Sequence, residues 1–365
     1  MSTSLHAPDF AAPASPPWSS DRDETLRCVQ VRQETHDVKT FVLAAQGPRS
    51  FRYLPGQFIT LELDIAGSRV NRCYTLSSTP TRPDLVSITV KRVPGGTVSN
   101  WLHDNLRPGM TLGVIGPSGE FSCFKAPAQR YLFLSGGSGV TPLMSMTRAL
   151  HDLGSDADIV FAHCARSPAD VLFPEELTLM ARNMAQLRLA TVCEQHTPGS
   201  AYAGHIGRMD AARLAHIAPD FLQRDVYTCG PAPFMAAVRQ LLAAAGYDMR
   251  RYREESFSFA DQAQPEAQAQ VDGDGGATAT HSIQLQKMGQ SFSCRADQTI
   301  LQAATAAGLR LPSSCSSGIC GTCKTKKISG QVEMKHAGGI RPREIDQGWI
   351  LPCCSKPVSD VALDR

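Results

Sequence analysis

The sequence predicts a multidomain chain: an antiparallel β-barrel, an α/β domain on a parallel sheet, and a compact cysteine-bearing unit. Three observations predict it. Strand-like runs punctuated by Pro and Gly fill residues 24–127, apolar runs alternating with helical stretches occupy 128–258, and spaced cysteines mark the last part of the chain. With 365 residues there is room for two or three separate cores.

Residues 1–23, rich in Ala, Pro and Ser and without periodicity, read as a disordered arm. In the barrel region, runs such as Phe58 to Leu63 and Leu85 to Val90 are strand-like, and turn residues separate them. The rhythm then changes. Strand-like Arg130 to Ser135 precedes helical Pro142 to Leu153, and Asp158 to His163 precedes Pro174 to Met184. Leu187 to Cys193 and Asp225 to Cys229 continue the pattern, with a helix over Pro233 to Ala245, so a parallel sheet covered on both faces is expected. Residues 259–280 are mostly Ala, Gln, Gly and Asp, too polar to bury, and read as a linker. The unit at 281–365 carries a strand pair near Ile283 and Phe292, a helix from Ile300 and a cysteine loop.

A net charge of +2 gives no global field for nucleic acid or an anionic membrane surface. No stretch approaches the roughly 20 apolar residues needed to span a bilayer. The first 23 residues lack a signal peptide's apolar core, so a cytoplasmic protein is expected.

Cys315, Cys320 and Cys323 have the spacing C-x4-C-x2-C of plant-type [2Fe–2S] proteins, which take a fourth cysteine further on. Cys353 and Cys354 are both candidates for it. Zinc would prefer paired C-x2-C knuckles, and there is only one such pair here. Upstream, Arg72-Cys73-Tyr74-Thr75 offers a cation for a pyrophosphate, a ring for a flat cofactor and a hydroxyl. Gly95-Gly96-Thr97-Val98-Ser99 can open a helix whose free amides receive phosphate. Gly136-Gly137-Ser138-Gly139-Val140-Thr141 lies between the first strand and first helix of the α/β part, where glycines let backbone approach a dinucleotide. Cys229-Gly230-Pro231 and Glu255-Ser256-Phe257 are uninformative alone. Nothing pairs Cys229 with a base, so a nucleophilic thiol is not expected.

In this order, RCYT, GGTVS, GPSGEF, GGSGVTP, CGP and ESF resemble the ferredoxin–NADP reductase superfamily over residues 24–258. CSSGICGTC with LPCC resembles plant-type ferredoxins, which implies a β-grasp fold for the last domain and selects Cys353, four residues before Pro357, as the fourth ligand. This domain order resembles that of reductases serving certain Rieske oxygenases and of the phenylacetyl-coenzyme A epoxidase reductase, and the stretches SITVKRVPGGTVSNWLHDNL, AAGYDMRRYREESF and GICGTCK with GQVEMKHAGGI most resemble the reductases of glycine betaine demethylating systems.

The resemblance implies FAD, NADH and a [2Fe–2S] cluster, with a Rieske-type oxygenase component as partner. Arg72, Cys73, Tyr74, Thr75, Val90 and Lys91 would then hold FAD, with Gly95, Gly96, Val98 and Ser99 near its pyrophosphate. Gly136, Gly137, Gly139 and Thr141 would hold the dinucleotide, with Cys229 and Gly230 beside its nicotinamide, and Glu255 and Phe257 near the flavin. Tyr74, Cys229 and Phe257 are the residues expected at the reacting centre. Related NADPH-dependent reductases carry Ser-Arg where this chain has Cys193-Glu194, an acid that would repel a 2′-phosphate, so NADH is expected. Lys324, Lys326, Lys327 and Lys335 are expected around the cluster loop, either as a docking face for a partner's carboxylates or as a solvated lysine face. The rival readings are a reductase for a di-iron oxygenase or a hybrid-cluster protein, and a non-enzymatic ferredoxin-like electron carrier.

Overall fold

The computed structural model describes residues 15–196, 201–257, 279–309, 311–313 and 315–365. Most of the expected arm (1–14) and of the expected linker (259–278) lies outside the described residues.

Strands β1 (Thr25–Thr35), β2 (Val38–Ala45), β3 (Phe58–Ile65), β4 (Ser68–Thr75), β5 (Val86–Lys91) and β6 (Thr111–Ser118) form an antiparallel sheet in the order β4-β3-β6-β1-β2-β5. A bridge between Leu76 and Ile88 joins its two ends, closing the barrel. Alternation puts Phe41, Leu43, Ile59, Leu61, Ile88 and Val90 inside. Helix α1 (Thr97–Asn105) adds Val98 and Leu102 to the same core.

Residues 15–23 depart from the expected disordered arm. The Trp18 ring is buried against Phe51, at 5.6 Å between ring centroids, and the Trp18 backbone N–H donates to the Ser50 carbonyl. Burying one large aromatic side chain outweighs the local Pro- and Ser-rich composition.

The second sheet is parallel throughout: β7 (Arg130–Gly136), β8 (Asp158–Ala165), β9 (Leu187–Cys193), β10 (His205–Ile206), β11 (Asp225–Gly230) and β12 (Tyr252–Ser256), in the order β10-β9-β8-β7-β11-β12. Both faces are apolar, as a doubly covered sheet requires. Tyr131, Phe133, Phe161 and Tyr227 pack with α2 (Val140–Asp152) and α3 (Pro174–Asn183). Leu132, Leu134, Val160 and Val226 pack with α4 (Ala211–Ile217) and α5 (Ala232–Ala244). The chain starts at β7, winds out to β9, and returns beside β7 as β11, so the strand order reverses between β7 and β11. Open α/β sheets bind ligands at that reversal, beyond the carboxyl ends of the strands.

Buried Arg148 on α2 fastens this domain to the barrel. It donates to the Ser77 carbonyl, lies 5.0 Å over the Phe173 ring, and pairs with Glu176 at 2.6 Å. At the other end of the helix Asp152 takes Arg82 at 2.8 Å.

The last unit has β13 (Thr280–Leu285), β14 (Gln290–Arg295), β15 (Thr325–Ser329), β16 (Val332–Met334), β17 (Trp349–Ile350), β18 (Ser355–Pro357) and β19 (Val361–Leu363). Five of them form a mixed sheet, β14-β13-β19-β15-β17, gripping α6 (Ile300–Ala306), a β-grasp arrangement. Thr299 and Gln302 form a capping box that starts α6. A short helix α7 (Pro342–Asp346) follows the cysteine loop.

Candidate electron-transfer site

The two glycine turns of the parallel sheet meet where strand order reverses. Ser135 pairs with Cys229 across β7 and β11, so the turn at Gly136 to Gly139 lies against the turn at Gly230. A Cβ at Gly139 would collide with the Cys229 carbonyl, and one at Gly136 or Gly230 would press on the Phe234 ring. Gly137 has φ +53°, a left-handed backbone that glycine adopts without strain. No side chain caps the start of α2, whose Val140 amide turns back to the Gly137 and Ser138 carbonyls. This close-packed cradle fits a dinucleotide.

Beside it lies a cavity of about 550 Å³, enough for a large flat cofactor. It is lined by Arg72, Cys73, Tyr74, Thr75, Val90, Lys91, Gly96, Val98, Ser99, Thr141, Glu255 and Phe257, residues expected from sequence at the flavin and nicotinamide. Strand β4 supplies the first four, and Thr75 faces Phe58 on β3. Gly95, at φ +71°, turns the chain into α1, which also begins without a side-chain cap. Gly136, Gly137, Gly139, Cys229 and Gly230 sit in the adjoining cradle rather than in the lining.

The lining also holds Phe58, Asn71 and Ser138, and, from the cysteine loop itself, Ser313, Ile319 and Thr322. Sequence reasoning missed these. The β3–β4 hairpin pairing would have pointed to Phe58, but nothing local marks the contact with the cysteine loop.

Thr75 Oγ1 donates to Glu255 Oε2 at 3.5 Å, joining the barrel to β12. Burial raises the Glu255 carboxyl from 4.5 to about 8, so it holds a proton at neutral pH. Burial also keeps the Tyr74 hydroxyl and the Cys229 thiol protonated. Cys229 is therefore a neutral packing group beside the cradle. Phe257, 37% exposed, stands at the cavity's edge.

Cys315, Cys320, Cys323 and Cys353 are all buried in one loop cluster without a disulfide. Cys323 Sγ lies 3.2 Å from Cys353 Sγ. The amides of Ile319 and Cys320 point at Cys315 Sγ at 3.3 Å, and that of Gly318 points at Cys353 Sγ at 3.2 Å. Contact with the Cys320 and Cys353 thiols, helped by the backbone at Ser317 and Cys320, lowers the Cys315 thiol while the same contacts raise those two partners. Thiolate stabilisation by inward amides is the donor chemistry an iron–sulfur cluster needs. Cys354 is half-buried, and its Sγ turns to the Leu351 carbonyl at 3.6 Å.

The expected lysine docking face is not what the fold makes of those residues. Lys324 is buried, 2.7 Å from Glu344 and 3.6 Å from Glu62 of the barrel. Burial alone would raise Glu344, but Lys324 and Arg341 outweigh it and hold the carboxyl below its usual range. Lys326 lies over the Trp349 ring, Lys327 donates to the Gly330 carbonyl, and only Lys335 stands well into solvent, paired with Glu333.

A barrel with a flavin-sized cavity, a dinucleotide cradle and a four-cysteine cluster loop define an oxidoreductase that joins a nicotinamide to a one-electron carrier. Comparison with known proteins agrees. Residues 25–123 match the oxidoreductase FAD-binding domain, 133–240 the oxidoreductase NAD-binding domain, and 283–358 the 2Fe-2S iron-sulfur cluster binding domain. The chain is 46% identical over 353 residues to the glycine betaine monooxygenase reductase subunit of Pseudomonas aeruginosa, covering 95% of this chain and 96% of that one. It is 43% identical over 347 residues to the stachydrine N-demethylase reductase subunit of Rhizobium meliloti, covering 95% and 97%. Phthalate dioxygenase reductase, described as a modular structure for electron transfer from pyridine nucleotides to [2Fe–2S], superposes with TM-score 0.53 at 25% identity, over 93% of this chain and 97% of that one. The chain belongs to the family of oxygenase reductase subunits that bind FAD, NADH and a [2Fe–2S] cluster. Among the described residues no helix is long and apolar enough to cross a membrane.

Proposed function

We propose that this chain is the NADH-dependent reductase of a glycine betaine monooxygenase system, acting in the cytoplasm and passing electrons to a separate Rieske-type oxygenase. The observation that carries this reading is a shared wall: cluster-loop residues Ile319 and Thr322 line the same cavity as Arg72 to Thr75 and Thr141. FAD held by this lining would supply the chemistry that turns a nicotinamide's hydride into single electrons for the cluster. Arg72 binds its pyrophosphate, the Val98 and Ser99 amides at the start of α1 assist, and Tyr74 and Phe257 cover the ring. The Gly136 to Gly139 turn and Thr141 orient the nicotinamide, while neutral Cys229 excludes water beside it. Glu255 holds a proton on its carboxyl while its Oε2 accepts from the Thr75 hydroxyl. Cys315, Cys320, Cys323 and Cys353 ligate the cluster. We place the functional units at 24–127, 128–258 and 281–365.

The test combines NADH, this chain and the candidate oxygenase with glycine betaine, and follows dimethylglycine and formaldehyde. Product should require both proteins. Product from this chain alone defeats the division of labour. No product from the pair, with efficient reduction of another oxygenase such as one for stachydrine, moves the substrate and leaves the reductase role standing.

A further inference from the structure

Strand β4 carries two side chains with different tasks side by side. Arg72 lines the flavin cavity, and its neighbour Asn71 lines it too while reaching across to the cluster loop. Asn71 is 7% exposed, and burying an amide is costly unless its donors are used. Its Nδ2 donates to the carbonyl of Cys320 at 3.1 Å. On the next strand the residue facing Asn71 is Glu62, which takes Arg341 at 2.6 Å and Lys324 at 3.6 Å. One rung of the β3–β4 ladder therefore holds the cysteine loop at two points, Cys320 and Lys324, on either side of Cys323.

The loop is pressed tightly into that grip. Gly321 has φ +69°, and a Cβ there would collide with the Gly339 carbonyl and come within 3.3 Å of Asn71 Nδ2. The hydrogen bond thus lies on a short covalent and hydrogen-bonded route from the cavity wall to a cysteine of the cluster.

We infer that Asn71 is a positioning residue for electron transfer, its side-chain amide fixing the Cys320 carbonyl, and so the cluster loop, against the flavin cavity. This rests on the reductase reading above. A hydrogen bond to a ligand's own carbonyl also withdraws charge from that ligand, so the same contact tunes the cluster's electronic structure. Arg341 and Lys324 hold the domain in place electrostatically, whereas Asn71 acts at the ligand itself.

The test is single-turnover reduction of the holoprotein by NADH, with flavin and cluster absorbance followed separately, in Asn71→Ala and Asn71→Asp. The ratio of the cluster-reduction rate to the flavin-reduction rate should fall about tenfold, because the supporting contact of a cluster ligand is lost. The paramagnetic resonance spectrum of the reduced cluster should shift with it. Asn71→Ser, shorter but still a donor, supplies the comparison if Asn71→Ala does not retain FAD. An unchanged ratio with an unchanged spectrum overturns the inference, and so does an equal fall in both rates, which a purely structural amide would produce. If the unaltered protein does not reduce its own cluster from NADH, the reductase reading falls and takes this inference with it.

Discussion

Glu255→Gln is the most informative single substitution at the cavity. The carboxyl is half-buried at the end of β12, with one hydroxyl partner, and its pKa is raised from 4.5 to about 8. Below pH 4.5 both the folded and the unfolded chain hold the proton. Between 4.5 and about 8 the unfolded chain has released it and the folded chain has not, so stability falls as pH rises; above about 8 both are ionised and the penalty is constant. At about 1.4 kcal/mol per unit the ceiling is about 5 kcal/mol, and partial exposure with local relaxation brings the expected value to about 2–3 kcal/mol. Glutamine copies the protonated form in shape and charge. The assay is thermal unfolding of the holoprotein and of Glu255→Gln from pH 5 to 9. The variant should gain on the original protein steadily up to about pH 8 and by a constant margin beyond it. Parallel profiles across that range would refute a buried protonated Glu255.

Cys353→Ser should lose iron and acid-labile sulfide, while Cys354→Ser keeps both, because only Cys353 Sγ meets Cys323 and the Gly318 amide. Glu194→Ser should raise kcat/KM for NADPH relative to NADH by about tenfold, since it removes an acid near the 2′ position and frees Arg208, now 3.4 Å from that acid. Arg341→Ala should destabilise the docked last domain by about 2–3 kcal/mol in denaturant melts followed by cluster absorbance, because it removes the nearer of the two cations on buried Glu62 and leaves Lys324 at 3.6 Å.

What the sequence disclosed was whatever is local. Period-two runs, glycine turns before helices and a three-cysteine spacing each determine structure within a dozen residues. Glu62 and Arg341 are 279 positions apart, as Asn71 and Cys320 are 249, and no periodicity joins them. Lys324 looked like any surface lysine because burial by a distant carboxylate leaves no trace in its neighbours. Trp18 was hidden by averaging: a window of Ala, Pro and Ser reads as unfolded even when one ring in it finds a pocket. Composition reports the mean, and packing depends on the exception.

The Arg148 fastening has a mechanical consequence. Arg148 bonds the barrel's Ser77 carbonyl while Phe173 and Glu176 of its own domain hold the guanidinium, and the Ser145 hydroxyl on the Ser78 carbonyl and Arg82 on Asp152 complete the joint. Helix α2 is therefore tied to the barrel at three points along its length, which holds the two walls of the cavity in register. A protein arriving at the far end of the chain acts first on the joint where the last domain rests on the barrel, through Arg341, Lys324 and Asn71.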